Sequence, residues 1–246
     1  MSVVHFNRLE NTAPNATPNR QHKVVIAVDG PAASGKSTIA RLLASRLGYA
    51  HLETGALYRA VAYAALEIGA DLTKFSEVEP ALAIVKRNLT PELLSNMALR
   101  SEDISSAASI VASLPEVRLN LVDYQREFAA NPPGNVGGVV LDGRDIGTVI
   151  CPQADLKFFI TADANERAQR RFNEVKARDQ SLSFGHVLQD IKQRDQRDST
   201  RKVAPTQAAS DAYILDTTYM NANETLDETI AVIRSRFLSE TGENRA

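Results

Sequence analysis

Residues 24–38, VVIAVDGPAASGKST, constrain this chain more than any other stretch, because an apolar run breaks there into a glycine-bounded loop. The loop fits the phosphate-binding pattern G-x-x-x-x-G-K-[ST], with Gly30, Pro31, Ala32, Ala33, Ser34, Gly35, Lys36 and Ser37 in turn and Thr38 directly after. Each residue type has a physical job. Glycines let the backbone wrap with its N–H groups pointing inward, Lys36 reaches the outer phosphates, and the Ser37 hydroxyl can ligate Mg²⁺. The pattern therefore predicts a grip for a nucleoside triphosphate; taken alone it would also suit a plain strand–turn–helix connection. Its flanks favour the grip. Val24, Val25, Ile26, Ala27 and Val28 read as a buried parallel strand, then Ile39, Leu42, Leu43 and Leu47 recur at helical spacing before a stop at Gly48.

At 246 residues the chain can bury a sizeable core as one α/β domain with inserted subdomains, or as two modest domains. A net charge of −2 argues against a nucleic-acid polymer as partner, since phosphate-backbone binders carry a basic excess. Any polyanion site must be local. Cys151 is the one cysteine, so no intrachain disulfide can form; the residue is expected to pack as a small apolar group, and a reducing cytoplasm is the natural setting. No apolar stretch approaches the length that spans a bilayer, so no membrane partner is expected. Residues 1–22 are polar and rich in Asn and Pro, lack the layout of a secretory signal, and read as a disordered tail.

Short apolar segments alternate with helical ones, the pattern of a parallel sheet flanked by helices. Candidate strands lie at 24–28, 50–52, 138–142, 156–160 and 213–216. Ligands gather at the carboxyl ends of such strands, which places Asp29, Glu53, Thr54, Asp142 and Asp216 near the expected site. About 85 residues separate the second and third strands, too many for a bare connection. That span is largely helical by period, with an irregular piece at 88–106 that suits a small lobe over the sheet. Residues 165–202 hold ten Lys or Arg against six Asp or Glu. Within this basic lobe Arg194, Arg197 and Arg201 are spaced to share one helical face. A solvated helix laced by Asp190–Arg194 and Arg194–Asp198 pairs is the ordinary explanation, yet stacked arginines repel unless they hold a polyanion, and the phosphate loop supplies one. The helix must end before Pro205.

Several segments together resemble bacterial cytidylate kinases, members of the P-loop nucleoside monophosphate kinases: GPAASGKST at 30–38, LETGALYRA at 52–60, AASIVASLPEVR at 107–118, LDGRDIGT at 141–148 and IKQRDQRDSTRKVAP at 191–205. They occur in the family's order, and the match spans nearly everything from 24 to 235. The resemblance implies a three-layer α/β fold with a five-stranded parallel sheet. It divides the chain into a core at 23–60, 107–164 and 203–246, a monophosphate-binding lobe at 61–106 and a mobile lid at 165–202. It also implies site roles. Residues 30–38 would hold ATP, with Lys36 following the moving phosphoryl group. Thr54 would cap a helix, while Arg59 and Arg144 would fix the acceptor phosphate. Asp145 would accept from the cytosine amine, and Ser109 and Arg118 would read the base, Arg118 donating to its acceptor edge. Arg194 and Asp198 would meet the sugar, and Arg201, with Arg197 or Arg171, would close on the phosphates. Mg²⁺ would be ligated by Ser37 and ordered through water by Asp142.

Two departures stand out. Ala32 and Ser34 occupy positions where relatives often carry Ser and Ala, so a hydroxyl contact at Ala32 is lost. The segment between Lys86 and Ser109 is short beside relatives with a three-stranded insertion, and with Pro91 and little strand alternation it is not expected to form a sheet. The expected activity is transfer of the ATP γ-phosphate to CMP and dCMP by a monomer. A kinase for UMP and a nucleotide-dependent switch protein are the alternatives; the chain has no guanine-reading N-K-x-D motif to support the latter.

Overall fold

The computed structural model describes residues 23–176 and 182–242; the tail expected at 1–22 and part of the expected lid lie outside them. Five parallel strands form one sheet in the order β2-β3-β1-β4-β5. They are β1 (Val24–Asp29), β2 (Ala50–Glu53), β3 (Gly138–Gly143), β4 (Leu156–Thr161) and β5 (Tyr213–Asp216). Each falls where the apolar runs place it, and four extend one residue further at the C-terminal end.

Strand alternation sorts the core. Ile26, Val28, Val140, Phe158 and Ile160 point to one face, where α1 (Lys36–Leu47) and α9 (Ala222–Gly242) cover them with Ile39, Leu43 and Ile233. Ala27, Val139, Leu141 and Leu52 point to the other, beneath α6 (Pro115–Ala130) and a π-helical turn at Ile146–Ile150. The parallel register sets Ile26 beside Val140 and Ala27 beside Leu141, so neighbouring strands present like faces together. Helix α1 stops where expected. Gly48 takes a left-handed φ of 67° and its N–H reaches the Ala44 carbonyl.

A second packing unit is helical. Between β2 and β3 the chain forms α2 (Thr54–Glu67), α3 (Phe75–Arg87), α4 (Pro91–Ser95), a 3₁₀ turn (Met97–Arg100) and α5 (Glu102–Val111), followed by α6. Leu57, Val61, Leu82, Leu99, Val111 and Leu121 bury one another there. Helix α2 runs unbroken through residues 60 and 61. The segment from Lys86 to Ser109 is helical and turn-like with no strand, as its composition predicts. Finally, α7 (Ala164–Lys176) and α8 (Phe184–Thr200) pack together through Ala168, Val175, Val187 and Ile191.

In this strand order, β1 is flanked by β3 and β4 and marks the reversal of winding, the place where open α/β sheets bind ligands. The chain leaving β1 enters the phosphate loop there.

Candidate active site

Two glycines fix the loop. Gly30 has φ 155°, and a Cβ there would lie 2.1 Å from the Ile160 carbonyl oxygen, so no larger residue fits against β4. Gly35 has φ 83° and delivers the chain into α1, whose first residue is Lys36. Lys36 is buried, and its Nζ donates to the Pro31 carbonyl at 3.1 Å. Burial, aided by the Arg144 charge, pushes its ammonium down to a pKa of about 7. The loop thus holds a cation that lacks a counter-charge strong enough to offset desolvation. The Ser34 hydroxyl is buried with no hydrogen-bond partner.

Asp142, at the end of β3, faces the loop. Its carboxylate accepts from the Ser37 hydroxyl and lies 2.8 Å from Nε2 of His51. Burial alone would raise this carboxyl, but His51 and Ser37 outweigh it and hold the pKa below its ordinary value. Thr54 does not cap α2. The N-cap is Glu53, and Thr54 is the helix's first residue, its hydroxyl donating to the Asp142 carbonyl at 2.8 Å. The threonine therefore ties α2 to the end of β3.

The loop opens on a cleft of about 490 Å³ between the sheet, the helical lobe and the α7–α8 pair. Residues 33–38 line it, as do Thr54, Arg59, Ser109, Arg118, Asp142, Arg144, Asp145, Arg194, Asp198 and Arg201. Gly30, Pro31 and Ala32 do not line it, Gly30 and Ala32 being buried beneath the loop. Asp216 lies away from the cleft, at the end of the edge strand β5, where it accepts from Thr218. Asp29 is structural: its two carboxylate oxygens accept from the N–H groups of Ile146 and Gly147, each at 2.8 Å, and so hold the loop bearing Arg144 and Asp145 against β1.

Opposite charges alternate across the cleft. Asp145 is buried and pairs with Arg118, and its other oxygen lies 3.6 Å from Arg201. Arg118 stacks 5.4 Å from the Tyr58 ring centroid. Asp198 accepts from Arg144 Nε at 3.1 Å and from the Ser109 hydroxyl at 2.9 Å. Burial would raise the Asp198 carboxyl, but Arg144 and Arg201 keep it below its ordinary value. Arg59 pairs with Glu53 at 2.6 Å. Arg194 lies 3.4 Å from Asp190 and 4.0 Å from Glu102. Among the described residues, Nε of Arg59, Nε of Arg194 and Nη2 of Arg201 are buried with no hydrogen-bond partner. These three guanidinium nitrogens border the cleft but are shielded from solvent, the Arg201 one 3.6 Å from Asp145, so a phosphate oxygen would reach them only as the side chains shift.

The expected common face of three arginines is not what forms. Arg201 follows the last residue of α8 in extended backbone, and its guanidinium turns back into the cleft. Arg197 turns away, its guanidinium donating to the hydroxyls of Ser106 and Ser109 at 3.3 Å each. Nor do Arg194 and Asp198 pair directly, since Asp198 engages Arg144 instead. Sequence reasoning gave no site role to Arg100, which pairs with Glu53 at 3.1 Å, or to Arg170; both line the cleft. Arg100 sits in an irregular segment where no periodicity points to it. Glu102, at the start of α5, bonds Arg171 of α7 and bridges the lobe to the basic helices. Cys151 is partly buried among apolar neighbours, and burial pushes its thiol up to about 11, which leaves it inert.

The cytidylate kinase family profile matches residues 26–235. Cytidylate kinase of Rhodopseudomonas palustris is 46% identical over 212 residues, covering 86% of this chain and 96% of the relative. That of Methylocella silvestris is 48% identical, with coverages of 86% and 94%. A crystal structure of an uncharacterized protein from Eubacterium ventriosum shares the fold at a TM-score of 0.50 and 13% identity, over 87% of this chain and 99% of that one. With the phosphate loop, the paired carboxylates and arginines, and this similarity along most of its length, the chain belongs to the cytidylate kinase family.

Proposed function

We propose that this protein transfers the γ-phosphoryl group of ATP to CMP, and to dCMP, releasing ADP and CDP or dCDP. One observation carries the reading: the phosphate loop with Lys36 and the buried Arg118–Asp145 pair open on the same cleft. The first suits a triphosphate and the second suits cytosine. A cytosine edge offers an amine beside acceptors, so the Asp145 carboxylate can accept a hydrogen bond from the amine while Arg118 donates to the acceptors. Uracil would set a carbonyl against the carboxylate, and an unmatched buried polar pair costs more than a contact merely lost.

Phosphoryl transfer asks for position and positive charge more than covalent help. Lys36 meets the donor phosphates, Arg59 and Arg144 fix the acceptor phosphate, and the lid arginines close on the reactants, Arg194 meeting the sugar and Arg201 the phosphates. A bound nucleotide displaces chain-internal pairs: Asp198, freed from Arg144, can turn to the sugar, and the open guanidinium donors find oxygens. No general base is required, because the acceptor phosphate is already anionic. Closure of α7 and α8 over the reactants would exclude water and suppress hydrolysis of ATP.

Mg²⁺ fits this donor set when it arrives with the triphosphate. Ser37 and Asp142 place a hydroxyl and a carboxylate oxygen together beside the loop, while no group of three or more His, Cys, Asp or Glu able to hold a metal occurs among the described residues. Ser37 would ligate the ion directly and Asp142 through water; when bound, it neutralises charge on the donor phosphates. In this reading the protein is a monomer, and the single unreactive thiol suits the cytoplasm.

A coupled assay with Mg²⁺–ATP and a panel of nucleoside monophosphates tests the assignment. CMP and dCMP are expected to give the highest kcat/KM. A higher value for UMP would reassign the acceptor, and failure to turn over any monophosphate would remove the kinase reading.

A further inference from the structure

The phosphate loop is held from outside the cleft as well as from within. Ala32 is fully buried, and both of its backbone polar groups are occupied by side chains of the basic helices. Its N–H donates to Oδ1 of Asp195 on α8 at 3.0 Å. Its carbonyl accepts from Nη1 of Arg167 on α7 at 2.8 Å. The same Arg167 nitrogen meets Oδ2 of Asp195 at 2.6 Å, closing a three-way clamp, and Nε of Arg167 donates to the Ala162 carbonyl at the end of β4. Next in the chain, Ala33 takes a left-handed φ of 55° and packs against the α7–α8 apolar cluster. The loop's shape and the seat of α8 are thus set by one group of contacts.

Asp195 directly follows Arg194. Adjacent helical residues point about 100° apart, so Asp195 can grip the loop while Arg194 faces the cleft. We propose that Asp195, with Arg167, is a positioning residue that ties the donor-phosphate loop to the helix carrying Arg194. Filling the loop then orders that arginine, and empty-loop motion releases it. The kinetic part of this proposal rests on the phosphoryl-transfer reading above; the coupling of loop to helix rests only on the loop binding a triphosphate.

Two measurements test it. In the wild-type protein without CMP, a non-hydrolysable ATP analogue is expected to slow amide hydrogen exchange in α8 as well as in the loop and α1. Protection confined to the loop and α1 would overturn the coupling. In Asp195→Ala, kcat is expected to fall about ten- to hundredfold and KM for ATP to rise, with CMP affinity measured in the absence of ATP within about twofold of wild type. Asp195→Asn should fall between, because its amide oxygen still accepts from Ala32 while the charge pair with Arg167 is gone. Unchanged kcat in Asp195→Ala, or an equal loss of CMP affinity, would overturn the positioning role. If Asp195→Ala does not fold, Arg167→Lys is expected to give the same separation of kcat and KM from CMP affinity, and its failure to do so counts against the proposal in the same way. Absence of CMP turnover in the wild type would strike the reaction assigned above, and the exchange measurement would still decide the coupling.

Discussion

Base selection is expected to depend on one carboxylate. Asp145→Asn keeps the shape of the site but offers an amide that can turn its donor toward a uracil carbonyl. The preference for CMP over UMP should shrink by about 1–3 kcal/mol, mainly through lost CMP activity, as measured by the ratio of kcat/KM values. An unchanged ratio would mean that Asp145 does not read the base. The structure adds a complication that sequence could not reveal: in the free protein Asp145 already pairs with Arg118 and lies near Arg201, so part of the binding energy goes to parting them. At the loop, Lys36→Ala should leave a folded protein and lower turnover about a hundredfold or more, since a cation aimed at developing charge is removed. A turnover near that of the wild type would refute it. Among these residues, the loop was legible because its chemistry is contiguous. The Asp198–Arg144 and Asp145–Arg118 pairs were not, because their partners are 54 and 27 residues apart and only folding brings them together.

At the scale of elements, the strands read clearly because parallel strands buried on both faces are short unbroken apolar runs. The helical segment between Lys86 and Ser109 was harder. Its caps are local and polar, with Thr90, Asn96 and Ser101 each accepting from a backbone N–H at the start of its own turn, so the elements are too short to show a period. Leu99 nevertheless anchors this segment in the lobe core, buried beside Leu57 and Val111. Leu99→Ala should destabilise the protein by about 2–5 kcal/mol by leaving a cavity, readable as a shift of the urea midpoint. A shift below a few tenths would mean that the lobe closes without it. A helical wheel misplaced Arg201 because it assumes the helix continues, whereas Arg197 lies within α8 and its guanidinium is taken up by Ser106 and Ser109. Helix α8 ends at Thr200, and Arg201 reaches the cleft only because the backbone extends there, its guanidinium donating back to the Ala204 carbonyl.

For the whole molecule, two buried groups of opposite kind, Asp29 beneath the Arg144–Asp145 loop and Lys36 in the cleft, both titrate near neutrality when no nucleotide is bound. Burial raises Asp29 from 3.8 to about 7, against the lowering effect of its two backbone N–H bonds, and burial lowers Lys36 from 10.5 to about 7. Their signs oppose. The Asp29 contribution to stability is fully present below 3.8, where both states are protonated, and is lost as pH rises through 7, because the folded protein holds that proton more tightly than the unfolded chain. The Lys36 contribution is present above 10.5 and lost as pH falls through 7, because the unfolded chain then binds the proton that the folded protein resists. Together these two groups predict a dip in unfolding free energy around pH 7 in the ligand-free protein. A triphosphate changes one of them. Its charges stabilise the Lys36 ammonium, so the pKa must rise on binding and the complex must take up a proton at about pH 8, where the nucleotide's own phosphates are already ionised. Titration calorimetry in two buffers of different ionisation enthalpy measures that proton directly. Uptake that disappears in Lys36→Met would assign it to this residue. Proton release, or uptake that survives the substitution, would show that the loop lysine is already charged in the free protein and that desolvation does not govern it.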